Sequence, residues 1–134
     1  MAGYSSRSLV DKLGIKPRTR IAIINPPRGF RATLGKVPPG VTIVSRARGV
    51  FPFIHCFVVS REVLESRLPS LLKALEPAGA LWVSWPKKSS GVSTDITEDV
   101  VRAVALPIGL VDVKVAAIDL VWSGLKLVRR LANR

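Results

Sequence analysis

Cysteine and histidine are almost absent from this sequence of 134 residues, which contains one of each, Cys56 and His55. A single cysteine excludes a disulfide within the chain and is typical of a reducing compartment. Structural zinc sites need several Cys or His ligands, so the sequence predicts no metal site of that kind.

Long apolar runs are also missing. A membrane-spanning helix needs roughly 18 or more consecutive apolar residues, and the most apolar region, residues 100–122, is interrupted by Arg102, Pro107, Asp112, Lys114 and Asp119. The first seven residues are polar and lack the apolar core of a signal peptide. We therefore expect a cytoplasmic protein without a membrane span.

Acidic residues are scarce: 9 Asp and Glu stand against 21 Lys and Arg, giving a net charge of +12. Residues 1–48 hold ten bases and one acid, Asp11, so 10 − 1 = +9 of this charge lies in the N-terminal third. Such a field attracts nucleic acid, anionic membrane surfaces or phosphorylated ligands. A surface rich in Lys and Arg without a specific partner is the alternative explanation.

Two runs are apolar at consecutive positions, residues 53–60 and 80–85. This pattern favours strands covered on both faces, as in a parallel sheet. Residues 20–25 and 41–45 predict two further buried strands. Between the first two runs, Ser60 is suited to cap a helix whose leucines recur at helical spacing, and Pro69 either kinks or restarts that helix.

The C-terminal third predicts a helix followed by a hairpin. Asp95 and Glu98 form the pattern of a capping box, with Thr94 or Asp95 as the N-cap. Valines alternate with Asp112 and Lys114 along residues 110–119, which predicts a strand with those two charges exposed on one face. Residues 122–131 fit an edge strand or one face of a helix; a strand antiparallel to residues 110–119 is favoured.

These elements predict one α/β domain over residues 1–134, with residues 1–18 as a peripheral segment. The fold class is a small three-layer Rossmann-like arrangement, with a mainly parallel sheet and a C-terminal antiparallel hairpin.

From residue 53 onward, the order of elements, the Glu-Pro-Ala-Gly turn at 76–79 and the terminal hairpin resemble the C-terminal half of class I S-adenosylmethionine-dependent methyltransferases. The resemblance covers residues 53–131 and implies a methyltransferase-like fold. That family has a glycine-rich loop after its first strand and an acid after its second. This chain has one glycine in residues 25–29, and Ser45-Arg46 where the acid is expected.

Five segments resemble a family of short bacterial proteins known as a domain of unknown function. The resemblance covers nearly the whole chain, implies a bacterial cytoplasmic protein, and implies no activity. The segments are residues 13–17, 82–87, 94–98, 109–114 and 122–126.

A ligand of an open α/β sheet binds beyond the carboxyl ends of the parallel strands. The loop at residues 85–91 offers two ammonium groups and two hydroxyls ahead of a helix N-terminus, so it predicts a site for a phosphate or carboxylate. The alternative is a solvated basic loop with an ordinary helix cap. The candidate ligand-binding residues are Arg28, Arg46, Lys87, Lys88, Ser89, Ser90 and Thr94.

No catalytic residue is predicted. His55 and Cys56 lie within an apolar strand and are interpreted as core residues, and no nucleophile elbow is present. The cofactor is unknown. The leading interpretation is a non-catalytic binding or regulatory module for an anionic small ligand or a protein partner. Two alternatives are a degenerate or unusual S-adenosylmethionine-dependent transferase and an electrostatic nucleic-acid binder acting through the basic N-terminal third.

Overall fold

The structure, a computed structural model, describes residues 7–134 except for the side chain of Asn133. Helices in this part of the chain are α1 (Leu9–Leu13), α2 (Phe30–Leu34), α3 (Arg61–Lys73) and α4 (Glu98–Ala105). Strands are β1 (Arg20–Ile24), β2 (Thr42–Val44), β3 (Phe51–Phe57), β4 (Leu75–Pro86), β5 (Leu110–Ala117) and β6 (Trp122–Arg129). None of the described helices has the length and apolar content needed to cross a membrane.

All six strands form one sheet in the order β2-β1-β3-β4-β6-β5. Strands β1 to β4 are parallel, whereas β6 runs antiparallel to both β4 and β5. The mainly parallel sheet and the terminal hairpin are therefore confirmed. Residues 122–129 form a strand, as favoured. The prediction of one domain with a peripheral segment at 1–18 stays a prediction, and residues 1–6 of that segment lie outside the described residues.

Both faces of the central strands are covered, as the continuous apolar runs indicate. On β3, Ile54 and Cys56 pack in a cluster with α3 and α4, whereas Phe53 and Phe57 pack in a second cluster with α1 and α2. Burying each side chain of this size stabilises the fold by about 1.5–3 kcal/mol. Strand β3 therefore holds the two outer layers together.

Helix α3 forms where Ser60 and the leucine spacing predict it. The Ser60 hydroxyl accepts a hydrogen bond from the Val63 amide, and Leu64 and Leu68 are fully buried. The helix continues through Pro69 without a restart. Its C-terminal end is held by Arg129 of β6, which donates to the carbonyl oxygens of Leu72 and Leu75.

Strand β4 begins earlier than its predicted start at residue 80. Leu75 already pairs with Phe51, and the register shifts before Phe53 pairs with Ala80. The Glu-Pro-Ala-Gly sequence at 76–79 therefore forms an irregularity within the strand rather than a turn ahead of it. Pro52 lies opposite this shift, and proline is tolerated at such irregular positions because it lacks an N–H donor.

The prediction for the faces of β5 is wrong. Val113 and Val115 are 55% and 50% exposed, whereas Asp112 and Lys114 are half-buried. A register shift between Asp112 and Lys114 causes this reversal, because a bulge interrupts the alternation of side chains along a strand. Asp112 consequently bonds Arg102 of α4, while Lys114 donates to the Lys12 carbonyl of α1 on the other face.

The only histidine lies in the core. His55 is fully buried, its Nε2 lies 2.7 Å from the Ser84 hydroxyl, and its ring stacks on Phe57 with the ring centroids 4.2 Å apart. Nδ1 has no hydrogen-bond partner among the described residues. Burial lowers the pKa of His55 to about 3, so the ring is neutral at physiological pH. The interpretation of His55 as a core residue agrees with this environment.

Acid should therefore destabilise the fold through His55. Unfolded chains bind the proton near pH 6.5, whereas the folded chain resists it down to a pKa of about 3. Stability is fully present above pH 6.5 and falls as the pH drops, by roughly 3 kcal/mol between pH 6.5 and 4. Urea unfolding of the wild type and of His55→Asn across this range checks the prediction. Parallel pH profiles for the two proteins would contradict it.

Candidate functional site

The carboxyl ends of β1, β2, β3 and β4 meet at one edge of the sheet, because these strands are parallel. Two clefts open there. One, the Trp85 cleft, lies where β4, β6 and the start of α4 meet. The other, the Arg31 cleft, lies where β1 and β2 end beside α2. Strand β3 separates β1 from β4, which places these two strands about 10 Å apart.

The Trp85 cleft has a volume of about 350 Å³. Trp85 and Pro86 form an apolar wall, and Ser123 contributes a hydroxyl from β6. Lys87 and Lys88 line the cleft from the loop after β4, and the segment that leads into α4 contributes Thr94, Ile96, Thr97 and Glu98. The loop predicted as a ligand site thus borders a cleft.

Lys87 holds this loop to the β5–β6 turn. Its backbone amide donates to the Val121 carbonyl and its ammonium donates to the Asp119 carbonyl, both at 2.6 Å. Asp119 in turn accepts from the amides of Val121 and Trp122. The Lys87 ammonium is therefore engaged within the fold, and a ligand would have to share it.

Ser90 and Thr94 are also engaged in internal hydrogen bonds. The Ser90 hydroxyl donates to the Lys87 carbonyl and accepts from the Val92 amide. The Thr94 hydroxyl donates to the Val59 carbonyl at 2.6 Å and accepts from the Ile96 amide. Of these two predicted ligand groups, Thr94 lines the Trp85 cleft and Ser90 is not among its lining residues. Both hydroxyl hydrogens are donated to carbonyl oxygens within the fold.

The capping prediction is wrong for both Thr94 and Asp95. Helix α4 begins at Glu98, and its N-cap is Thr97, whose hydroxyl accepts from the Val100 amide. The Asp95 carboxylate instead accepts from the Arg61 amide at 2.7 Å, at the first residue of α3. A free amide at a helix start attracts a carboxylate regardless of which helix supplies it, so a tertiary contact replaces the local one.

Lys88 and Ser89 remain exposed, and neither side chain has a hydrogen bond or ion pair within residues 7–134. Of the two, Lys88 lines the Trp85 cleft. Arg28 and Arg46 are exposed on the turns after β1 and β2. They lie on the side of β3 that holds the Arg31 cleft, so the structure divides the predicted site in two.

An ion-pair cluster adjoins the Trp85 cleft through Glu98, which belongs to both. Arg102 of α4 bonds the carboxylates of Glu98, Asp99 and Asp112. Its hydrogen bond lowers the pKa of Asp112, and the bonds to Asp112 and Glu98 raise the pKa of Arg102. The cluster contains one cation and three carboxylates. Glu98 therefore brings negative charge to the same cleft that Lys88 lines.

The Arg31 cleft has a volume of about 420 Å³. Its floor is apolar, and two polar side chains, Arg31 of α2 and Ser45 after β2, stand at its border; the remaining lining residues are Ile23, Pro26, Ile43 and Val44. No hydrogen bond or ion pair engages the Arg31 guanidinium within the described part of the chain.

His55 and Cys56 line neither cleft. Cys56 is fully buried, and burial raises the pKa of its thiol to about 11. Within residues 7–134, no three His, Cys, Asp or Glu side chains lie close enough together to hold a metal ion. Both clefts are lined by hydrogen-bond donors, charged groups and apolar side chains.

The fold is that of class I S-adenosylmethionine-dependent methyltransferases. Similar solved structures include an S-adenosylmethionine-dependent methyltransferase from Aquifex aeolicus, with a TM-score of 0.62, 14% identity, and coverage of 89% of this chain and 86% of that one. A TehB-like methyltransferase from Corynebacterium glutamicum has a TM-score of 0.59 and 12% identity, with 96% and 91% covered. Magnesium protoporphyrin IX methyltransferase from Synechocystis has a TM-score of 0.58 and 12% identity, with 91% and 74% covered.

Identities this low show the fold alone. No protein-family model and no curated protein sequence matches the chain. The predicted methyltransferase-like architecture is thus confirmed, whereas the resemblance to a family of short bacterial proteins stays a prediction.

The cofactor that this fold implies does not fit the residues present. Pro26 and Pro27 remove two backbone N–H donors from the loop after β1. Gly29 is the one glycine of this loop, and its φ of +81° accounts for the residue through backbone conformation alone. Ser45 follows β2 where the family has an acid, and the Arg31 guanidinium lies beside it.

Sequence reasoning missed Arg31, Glu98 and Ser123 as cleft residues. Arg31 lies in a five-residue helix and Glu98 fits a capping box, so the sequence around them did not indicate that either residue lines a cleft. Ser123 reaches the cleft because it pairs with Trp85 across the β4–β6 ladder. The position of a hydroxyl on a neighbouring antiparallel strand follows from register, which the sequence does not display.

Removing the Asp95 carboxylate should loosen α3, and removing the Thr97 hydroxyl should loosen α4. Asp95→Ala leaves the Arg61 amide without its acceptor, and Thr97→Ala does the same to Val100. Each change should cost about 1 kcal/mol. Amide hydrogen exchange should accelerate at Arg61 in the first variant and at Val100 in the second. Acceleration at Val100 in Asp95→Ala would mean that Asp95 caps α4.

Proposed function

We propose that this protein is a small-molecule-binding module built on the methyltransferase fold, with its ligand in the Trp85 cleft. One observation carries the proposal: Lys88 lines the cleft without an internal partner, whereas the polar groups around it are engaged in fixing the cleft walls. An exposed ammonium at the mouth of a formed cleft suits an anionic group on a ligand.

The walls of the cleft are held in place by hydrogen bonds from three elements. Lys87 ties the loop to the hairpin, Thr94 ties the segment before α4 to Val59, and Asp95 ties that segment to α3. A cleft that is formed before binding avoids much of the entropic cost of ordering loops around a ligand. This supports binding of a defined small molecule over diffuse attraction of counter-ions.

Charges of both signs among the lining residues specify the ligand further. Lys88 offers a cation, Glu98 offers a carboxylate that Arg102 partly neutralises, and the Thr97 and Ser123 hydroxyls can donate. Trp85 provides an apolar surface for the body of a ligand. A small molecule with both a carboxylate and an ammonium group, such as an amino acid, would pair with both charges.

Binding without chemistry is the simplest function for this cleft. The groups that most often act as bases or nucleophiles, His55 and Cys56, lie in the core and line neither cleft. A regulatory or carrier role is consistent with that arrangement. Nucleic-acid binding through the basic N-terminal third, a protein partner, and a bacterial cytoplasmic location stay predictions from the sequence.

Methyl transfer is the second candidate function. The similar structures named above favour it, since all three are methyltransferases. The residues at the place where the fold family binds its cofactor oppose methyl transfer. Pro26 and Pro27 lack backbone N–H donors, and Ser45, with Arg31 beside it, stands where an acid is expected. The fold thus favours methyl transfer and the residues at the cofactor position oppose it. A measurement of S-adenosylmethionine binding tests which of the two is right.

Replacing Lys88 should weaken an amino-acid-like ligand at the Trp85 cleft. Free amino acids, tested individually by calorimetry against their amides and N-acetyl derivatives, should bind more tightly than either derivative. Lys88→Ala should lower the affinity by about 10-fold or more, since charge-assisted hydrogen bonds contribute about 1.5–3 kcal/mol. Lys73→Ala removes an exposed lysine at the C-terminal end of α3 and should leave the affinity unchanged. Equal binding of the amides, or full affinity in Lys88→Ala, would contradict the proposal.

S-adenosylmethionine should not stabilise the Lys88→Ala protein. This variant is used because S-adenosylmethionine carries the same carboxylate and ammonium as an amino acid and could enter the Trp85 cleft of the wild type. A ligand that binds the folded state raises the melting temperature, and at millimolar concentration we expect no increase in Lys88→Ala. A concentration-dependent increase in this variant would favour the transferase candidate over the binding module.

A further inference from the structure

We propose that the Arg31 cleft is a second binding site, for a small molecule that carries phosphate on an apolar, ring-sized body. The cleft lies where the fold family holds a cofactor with a cationic sulfonium, yet its residues favour the opposite charge. This proposal does not depend on the ligand of the Trp85 cleft, because the two clefts share no lining residue.

The charge around the Arg31 cleft has one sign. No Asp or Glu occurs from Lys12 to Arg61, a stretch that contains β1, α2, β2 and their connections. Arg28 and Arg46 lie on the same turns as the lining residues Pro26 and Ser45. Three arginines without a nearby acid in sequence therefore surround this end of the sheet, and they favour anions and disfavour cations.

The Arg31 guanidinium is available to a ligand. It is exposed, and within residues 7–134 no internal acceptor holds it. A guanidinium presents several N–H donors in a planar fork that matches phosphate oxygens. Ser45 adds a hydroxyl at the end of β2, which can donate to a further oxygen.

The rest of the cleft is apolar. Ile23 of β1 and Ile43 of β2 lie two positions apart in the register of these paired strands, since Ile43 pairs with Ile21. Pro26 and Val44 complete the lining. A volume of about 420 Å³ is within the range of small-ligand sites. An apolar floor with cations at its border suits a ring whose phosphate points outward, so a nucleotide is the natural probe.

The thinness of this half of the molecule keeps the cleft open. Helix α2 has five residues, and residues 45–50 return to β3 across the opposite face without a helix. Ala47 of that connection packs in the cluster with α3 and α4. No long helix of residues 7–134 therefore covers the carboxyl ends of β1 and β2, and Arg31 is exposed to solvent.

The test is calorimetric titration of the full-length protein with ATP, pyrophosphate and S-adenosylmethionine at low salt. ATP and pyrophosphate should bind, with ATP tighter because of its ring, and S-adenosylmethionine should not compete with either. Arg31→Ala should weaken ATP by about 10-fold or more. Arg48→Ala is the matched control: it removes the same charge, but its carbonyl is held by Arg20 at the start of β1, the opposite edge of the sheet.

Ser45 provides a second pair of variants. Ser45→Asp places an acid at the end of β2 and should weaken ATP by at least about 10-fold, whereas Ser45→Asn, neutral and of similar size, should change the affinity by less than about 3-fold. Lys88→Ala should leave ATP binding intact, which separates this site from the Trp85 cleft. The proposal is overturned if no phosphate compound binds, if Arg48→Ala weakens ATP as much as Arg31→Ala, if Lys88→Ala abolishes binding, or if S-adenosylmethionine displaces ATP.

Discussion

Burial of the central strands on both faces is the constraint on which this structure depends. Strand β3 and residues 81–86 of β4 are almost entirely buried, so each face of the sheet needs its own layer. Trp82 shows how the thinner layer is attached: its indole is fully buried, and its Nε1 donates to the Leu13 carbonyl at the end of α1 at 3.0 Å. Gly124 of β6 leaves room for this ring, because a Cβ there would lie 3.1 Å from Trp82 Cε3. A five-residue helix can cover the sheet because a buried tryptophan anchors its last carbonyl.

The two halves of the sheet edge differ because their coverings differ. On the β4 side, α3 and α4 are long enough to bring caps, ion pairs and a hairpin turn together around the Trp85 cleft. On the β2 side, short connections leave an open apolar cleft bordered by cations. One small fold thereby presents a mixed-charge site and a cationic site on either side of β3. The fold family binds a cofactor at the second of these places, and this chain has replaced the features that such a cofactor needs.

The sequence predicted the elements whose signals are local. Continuous apolar runs indicated β3 and the end of β4, Ser60 and the leucine spacing indicated α3, and the paired strands at the C-terminus were correctly favoured over a helix. Errors arose where a tertiary contact competes with a local one. Asp95 binds the start of α3 instead of α4, and a bulge turns Val113 toward solvent. The loop at 85–91, predicted as an anion site, borders a cleft. The sequence could not show that Lys87, Ser90 and Thr94 form hydrogen bonds inside the fold. The sequence did not indicate Arg31 as a cleft residue, because the cleft forms only when β1 pairs with β2.

The central claim is that the carboxyl edge of this methyltransferase-like sheet binds anions where the fold family binds a sulfonium cofactor. A crystal structure of the protein grown with ATP, and another grown with S-adenosylmethionine, tests it most directly. The account predicts phosphate density within hydrogen-bonding distance of the Arg31 guanidinium and the adenine ring over Ile23 and Ile43. It predicts no density for S-adenosylmethionine between the ends of β1 and β2. Ordered S-adenosylmethionine between the ends of β1 and β2, with its ribose at Ser45, would contradict it.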